Sequence, residues 1–450
     1  MTVRLSGAFL TIVVLAAAVC AAVQAATAAP ERPGLSRQER QIVAAAHAQN
    51  APAIELLEQL VDINSGTMNP AGVEHIARIM MSQFQTLGFK VRWVPMEAVG
   101  RAGNVVAEHA GSGHGKRILL IGHMDTVFEK DSPFQRYERH GDSAVGPGVN
   151  DMKDGLSIMV AALRSLDRAG ALAEADIRIV LSGDEENAGR PISVSRADMI
   201  QAAEHSDVAL EFEALAEQDG HDMGTISRRS SSTWTVHTWS RSGHSSDIFA
   251  PEVGFGAGFE LARIVDAFRN ELREPNATFS VGIMAVGADA AFNADQTGAT
   301  VDGKANVIPA KGLARGDLRT LSNDQTERLT ARMRDIVAHH LPGTDADIAF
   351  SEGYPSMPPT AGNRALLDLL NGINAALGLE PMGTLDPLRR GAGDISFVAD
   401  KVDGLVGFGA VGHGSHAPGE TVDLTSIDRQ IVRTALLIER LSRTPRQPGK

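Results

Sequence analysis

The chain has 450 residues, a formal net charge of −13, and a composition that is 43% hydrophobic and 22% charged. Such a composition describes a folded globular protein of about two or three domains rather than a disordered one. The acidic balance argues against nucleic-acid binding, which needs a basic footprint, and an aromatic content of 4% argues against a stacking platform for bases.

At the N-terminus, Arg4, the apolar run 9–19 and Ala26-Thr27-Ala28 read as a cleavable secretory signal peptide over residues 1–29. The mature protein is therefore expected in the periplasm or outside the cell. Cys20, the only cysteine, lies inside that leader, and Val19 before it suits lipoprotein processing poorly. A mature chain without cysteine has no disulfides, and any metal must be held by His, Asp and Glu. No later stretch is long and apolar enough to span a bilayer, so no stable membrane anchor is expected.

After the Pro/Gly linker at 30–34, apolar residues at three- and four-residue spacing predict helices at 36–48, 52–63 and 71–87. Strand-like runs follow at 90–95, 104–109 and 117–122, then a helix over 155–166 and a strand over 176–181. This alternation predicts an α/β catalytic domain with a mostly parallel sheet flanked by helices, its first part spanning 35–222. Near residue 223 the texture changes. The Ser/Thr-rich stretch 225–240 predicts antiparallel strands, followed by a helix at 254–273, strands around 277–286 and 306–319, and a helix at 322–341. That order suits a smaller α+β domain over 223–345. The α/β texture returns over 346–445, with helices at 364–377 and 426–442, so the smaller domain is expected to interrupt the larger one.

Ligand sites of parallel α/β sheets lie at the carboxyl ends of the strands. His123 and Asp125 follow one such strand, and extended backbone puts both side chains on one side, where Asp125 would orient the ring of His123. Alone, the pair also fits a polar loop. Asp184-Glu185-Glu186 closes the next strand, and neighbours in extended chain point to opposite sides, so one Glu can bind metal while the other acts as a base. An acidic surface turn is the alternative. Asp151 and Asp154 sit in a Gly-flanked loop before a helix, where helix capping is the alternative. Glu211 and Glu213 end a further strand, with one of them expected to face the site. Together these clusters supply the ligand types that zinc takes without cysteine, and a carboxylate shared by two ions would hold them about 3.5–4 Å apart.

Eight stretches, in order, resemble the M20 family of zinc aminoacylases and carboxypeptidases, and are similar to its glutamate carboxypeptidase branch. They are 122–127 (around His123 and Asp125), 146–155 (around Asp151), Asp184-Glu185-Glu186, Phe212-Glu213, Gly243-His244-Ser245, 306–309 (from Asn306), Asp317-Leu318-Arg319 and 416–420 (from His416 to Glu420). They cover about residues 50 to 443. The resemblance implies two Zn2+ per chain, with Co2+ or Mn2+ as possible substitutes, and an inserted lid domain that makes a homodimer. By the same resemblance, His123 and Glu213 bind one metal, Glu186 and His416 the other, and Asp151 bridges both. Glu185 is the general base, Asp125 orients His123, and a cis peptide follows Asp151.

His244 matches a lid histidine, often from the partner subunit, that stabilises the oxyanion. Arg319 matches a lid arginine that holds a substrate carboxylate, with an ion pair to Asp317 as the alternative, and Asn306 belongs to the substrate pocket. Arg390, in a stretch that resembles a Gly-rich substrate loop, is a candidate to recognise an acidic group, with a solvated turn as the alternative. His413, three residues before His416, is an alternative ligand. The long loop after His244 leaves a preference for glutamate open. The expected function is cleavage of an amide next to a free carboxylate, in a peptide or an N-acyl amino acid. An N-acyl-amino-acid deacylase and a non-catalytic periplasmic binding protein are the competing readings.

Overall fold

A computed structural model describes residues 34–112 and 114–446. The expected signal peptide and Cys20 lie outside the described residues. The first helix of the described residues, Arg37–His47, starts at a reciprocal cap: the Ser36 hydroxyl accepts from the Glu39 N–H, and the Glu39 carboxylate accepts from the Ser36 N–H. Helices Asn50–Val61 and Pro70–Thr86 follow.

The larger sheet has six strands in the order Lys90–Pro95, Gly103–His109, Asp176–Ser182, Arg117–His123, Val208–Glu211 and Asp403–Val406. Its first two pairings are antiparallel and its last three parallel. Ile118, Leu119, Leu120 and Ile121 are all fully buried, as expected where helices cover both faces of a parallel sheet. On one side, helices Lys153–Arg168 and Leu424–Arg443 join the N-terminal helices in the main core. On the other, Leu119, Ile121 and Val180 pack against Met199, Ile395 and Val398. The chain leaves this sheet after Val208–Glu211 and rejoins it beside that strand with Asp403–Val406, so a second domain interrupts the first.

In that second domain, Ser232–Ser240 runs antiparallel between Lys311–Arg319 and Thr344–Phe350, while Thr278–Phe279 and Ile283–Gly287 pair with the far side of Lys311–Arg319. Helices Gly256–Glu271 and Asn323–Ala338 close a core around Trp234, Leu261, Phe268, Leu318 and Met333.

Several elements differ from their sequence expectations. Thr344–Phe350 is a strand that the apolar pattern does not announce, because only Ala346, Ile348 and Phe350 face the core while Asp345 and Asp347 are exposed. The second sheet therefore continues past residue 345. The regular strand expected from 306 starts at Lys311, just after Pro309, which has no N–H to give a ladder. Residues 225–231 form no regular strand. They run beside the returning linker through isolated bridges, Arg228 with Met357 and Ser231 with Tyr354.

Candidate metal centre

Strand Arg117–His123 delivers His123 to the carboxyl edge of the larger sheet, where it is 2% exposed. Its Nδ1 lies 3.1 Å from the backbone carbonyl oxygen of Asp125 and 3.4 Å from that residue's Oδ1. The ring is thereby turned so that Nε2 stands 3.1 Å from Asp151 Oδ1 and 3.6 Å from Glu213 Oε1. The Asp125 carboxylate has further partners beside the ring. It accepts the N–H of Glu185 at 3.0 Å, the N–H of Glu186 at 3.1 Å and the Thr67 hydroxyl at 2.5 Å. Burial raises its pKa, but the hydrogen bonds from His123 and Thr67 outweigh that and hold it below the usual range. Asp125 thus ties the end of one strand to the turn after another.

Asp151 is presented by the loop before helix Lys153–Arg168, with a cis peptide between Asp151 and Met152. Glu420 braces this loop from the far end of the chain, accepting the N–H groups of Gly148 (3.1 Å), Asn150 (2.7 Å) and Asp151 (2.9 Å). Burial pushes the Glu420 carboxyl up to about 7. The second oxygen of Asp151, Oδ2, lies 3.1 Å from His416 Nε2, which is also 3.1 Å from Glu186 Oε2. His416 adopts a left-handed backbone with φ of 67°, uncommon for a residue with a side chain. His413 lies on the surface, outside both groups.

The result is two triads, His123–Asp151–Glu213 and Asp151–Glu186–His416, with one ligand atom per residue and these atoms within 4.8 Å of one another. Asp151 turns one oxygen to each triad. The donors are imidazole nitrogens and carboxylate oxygens, the set that suits zinc and other divalent ions. Glu186 Oε1 is buried with no hydrogen-bond partner, as a group awaiting a cation would be. The electrostatics agree. Burial disfavours a charged His123, yet Asp125, Asp151 and Glu213 hold its pKa well above the ordinary value. The centre attracts positive charge, and the residues present fit a pair of divalent metals.

Glu185 stands beside both triads. Burial first, then the charges of Asp394, Glu213 and Glu186, push its pKa well above that of an ordinary carboxylate, against the pull of His123. Its neighbour Asp184 turns away to Arg196 at 2.6 Å. Glu211, two residues before Glu213, is likewise turned away: its carboxylate binds Arg228 at 2.7 Å and accepts the Ile395 N–H at 2.8 Å.

The remaining sequence candidates lie outside the triads. His244 and Asn306 are exposed neighbours on the second domain, with the Ser245 N–H donating to the Asn306 carbonyl at 3.0 Å. Among the described residues, neither belongs to a metal-holding group. Arg319 is paired with Asp317 at 3.1 Å, the alternative anticipated for it, and its guanidinium also borders Gly391 of the larger domain. Arg390 donates to the Ala214 carbonyl, beside Glu213. With Arg389, Asn150, His413 and Ser415 it lines an open groove of about 340 Å³.

Four residues of this neighbourhood carry no role in the sequence reading: Thr67, Arg196, Arg228 and Tyr354. Arg196 is fully buried and also binds Asp394 at 2.7 Å. The Tyr354 hydroxyl donates to the Glu185 carbonyl at 2.8 Å. A lone arginine or tyrosine in a loop has no spacing signal, because each partner lies far away in the chain. Glu420 was visible as the end of the last motif, though not as a loop brace.

A model of peptidase family M20/M25/M40 matches residues 119–440. Carboxypeptidase G2 of Pseudomonas sp. (strain RS-16) is 27% identical over 425 residues, covering 92% of this chain and 95% of that protein. A succinyl-diaminopimelate desuccinylase of Leptothrix cholodnii is 25% identical over 394 residues, covering 84% and 95%. Among solved structures, the aminopeptidase PepT from Bacillus cereus ATCC 10987 superposes with a TM-score of 0.69 at 16% identity, over 87% of this chain and 98% of that one, which shows a shared fold. With the family model spanning most of the sheet and every candidate ligand, the chain belongs to peptidase family M20/M25/M40 and is a hydrolase of the metallopeptidase type.

Proposed function

We propose that this protein is a secreted di-zinc hydrolase that cleaves an amide bond next to a free carboxylate. The observation that carries the reading is the pair of triads joined through the two oxygens of Asp151, with the side chain of Glu185 beside them. His123 and Glu213 would hold one ion, Glu186 and His416 the other, and Asp151 both. Bound divalent ions supply the Lewis acidity that polarises an amide carbonyl and acidifies water.

The chain's own groups do the rest. Glu185, with a pKa raised by burial, is suited to take a proton from the attacking water and return it to the leaving amine. Asp125 keeps Glu185 and Glu186 in register by holding both of their backbone N–H groups. Arg319, at the border between the domains, is a candidate for the substrate carboxylate through its planar fork.

The groove of Arg389 and Arg390 favours a second acidic group on the substrate, since its lining sets two guanidiniums against one carboxylate, Glu217. The names of the two relatives, a carboxypeptidase and a desuccinylase, fit this reading from either side of the scissile amide. They leave an N-acyl-amino-acid deacylase as the second reading. His244, apart from its own triads, suits the oxyanion role in a homodimer that brings it to a second copy. The leader-like N-terminus supports a periplasmic or secreted location.

The test is hydrolysis of a panel of dipeptides and N-acetyl and N-succinyl amino acids by zinc-loaded protein, beside Glu185→Gln. We expect turnover that is lost on chelation and falls by about 10²–10⁴ in the variant. Equal turnover by wild type and Glu185→Gln would refute the mechanism. No turnover by wild type that holds two metals would point to an amide outside the panel, and no turnover with no bound metal would favour the non-catalytic reading.

A further inference from the structure

The backbone of Glu185 is held on both sides. Its N–H donates to Asp125 Oδ1 at 3.0 Å, and its carbonyl accepts from the Tyr354 hydroxyl at 2.8 Å. The Glu185 carboxylate itself makes no hydrogen bond among the described residues, so its placement depends on these backbone contacts. Tyr354 comes from the linker that returns from the second domain. That linker pairs with the outgoing one through Ser231 N–H to Tyr354 carbonyl (3.0 Å) and Tyr354 N–H to Ser231 carbonyl (2.9 Å). Glu352 on the same linker accepts the Ile192 N–H at 3.1 Å, a further tie to the segment after Glu185.

The direction of the Tyr354 hydrogen bond is fixed by its other neighbour. Arg196 Nη2 lies 2.7 Å from the hydroxyl oxygen, and a guanidinium can only donate. The Tyr354 oxygen therefore accepts from Arg196, and its own proton goes to the Glu185 carbonyl. Arg196 is in turn immobilised by ion pairs to Asp184 and Asp394, and the Tyr354 ring packs edge-on against Phe397 at 4.8 Å.

We propose that Tyr354 is a positioning residue for Glu185, through which the linker of the inserted domain sets the placement of the base. The inference rests on Glu185 being that base. Without the Tyr354 hydroxyl the Glu185–Glu186 peptide would be held only at its other end, by the Glu186 N–H on Asp125 Oδ2 at 3.1 Å, and could tilt about that bond; small misplacements of a reacting group cost rate rather than binding.

The experiment compares zinc-loaded full-length wild type with Tyr354→Phe, which keeps the ring and removes the hydroxyl. We expect kcat to fall about tenfold while KM stays within about twofold. Zinc stoichiometry and the unfolding midpoint should hold. Hydrogen exchange at the amides of residues 184–187 should quicken in the variant and stay unchanged in strands such as Arg117–His123. Unchanged kcat with unchanged exchange would overturn the proposal. So would a joint loss of zinc, midpoint and activity, which would make Tyr354 merely structural. Glu185→Gln measured alongside separates the two levels: if it turns over like wild type, the base assignment fails, while the exchange comparison still decides whether Tyr354 holds this turn.

Discussion

Asp125 shows how one side chain can matter through what it holds rather than what it touches chemically. Its carboxylate satisfies two backbone donors and the Thr67 hydroxyl in a buried setting. Asp125→Ala would leave the N–H groups of Glu185 and Glu186 without their partner, at a cost of about 2–4 kcal/mol. Urea denaturation checks this, and a loss below about 1 kcal/mol would show that the turn finds other acceptors. His123, Asp125, Asp151, Glu185, Glu186 and Glu213 stand out as motif residues because each follows a strand or sits in a Gly-flanked loop, whereas His416 stands out from His413 only through the family resemblance of 416–420. The sequence did not show the division of labour within each acidic cluster. Asp184 and Glu211 look the same as their neighbours in one dimension, and only the buried Arg196 and Arg228 decide which carboxylate turns away. Beside its contact with the ring of His123, Asp125 also holds the Glu185–Glu186 turn, which the sequence does not show.

Secondary structure elements are joined by similar, partly buried pairs. Asp222, in strand His221–Gly224, meets Arg429 at 3.0 Å and Arg433 at 2.5 Å, both on helix Leu424–Arg443. Burial raises the Asp222 pKa, but the hydrogen bonds from the two arginines outweigh it and hold the group below its ordinary value. A carboxyl whose folded pKa is depressed stabilises the fold above its unfolded pKa of about 3.9 and loses that contribution as pH falls through the folded value. Asp222→Asn should therefore lower the unfolding midpoint at pH 7, and the gap to wild type should narrow below about pH 4. A gap that is constant with pH would show that the ion pair is not its source. Elements with a continuous apolar run or a clear helical period were legible, such as Arg117–His123 and Leu424–Arg443. The strand Thr344–Phe350 and the linker 225–231 were not, because the first alternates with aspartates and the second turns Arg228 inward to Glu211.

At the scale of the molecule, an inserted domain stands beside the candidate metal centre. Six large apolar side chains of that domain are exposed: Trp239, Phe249, Phe259, Val281, Met284 and Val301, with Phe249 at 57% and Phe259 at 52%. Such exposure is the kind that a second copy would cover, in line with the proposed homodimer. Wild type should sediment as a dimer and Phe259→Glu should shift toward monomer, with the secondary structure retained. A wild type that is monomeric at all concentrations would remove the dimer and, with it, the proposed place of His244.

If Asp151 joins two metal sites, calorimetric titration of metal-free protein with Zn2+ will show it. Wild type should take up two equivalents per chain, and Asp151→Asn should bind more weakly at both sites, not one. A single equivalent in wild type, or a variant that loses one site and keeps the other at full affinity, would contradict it.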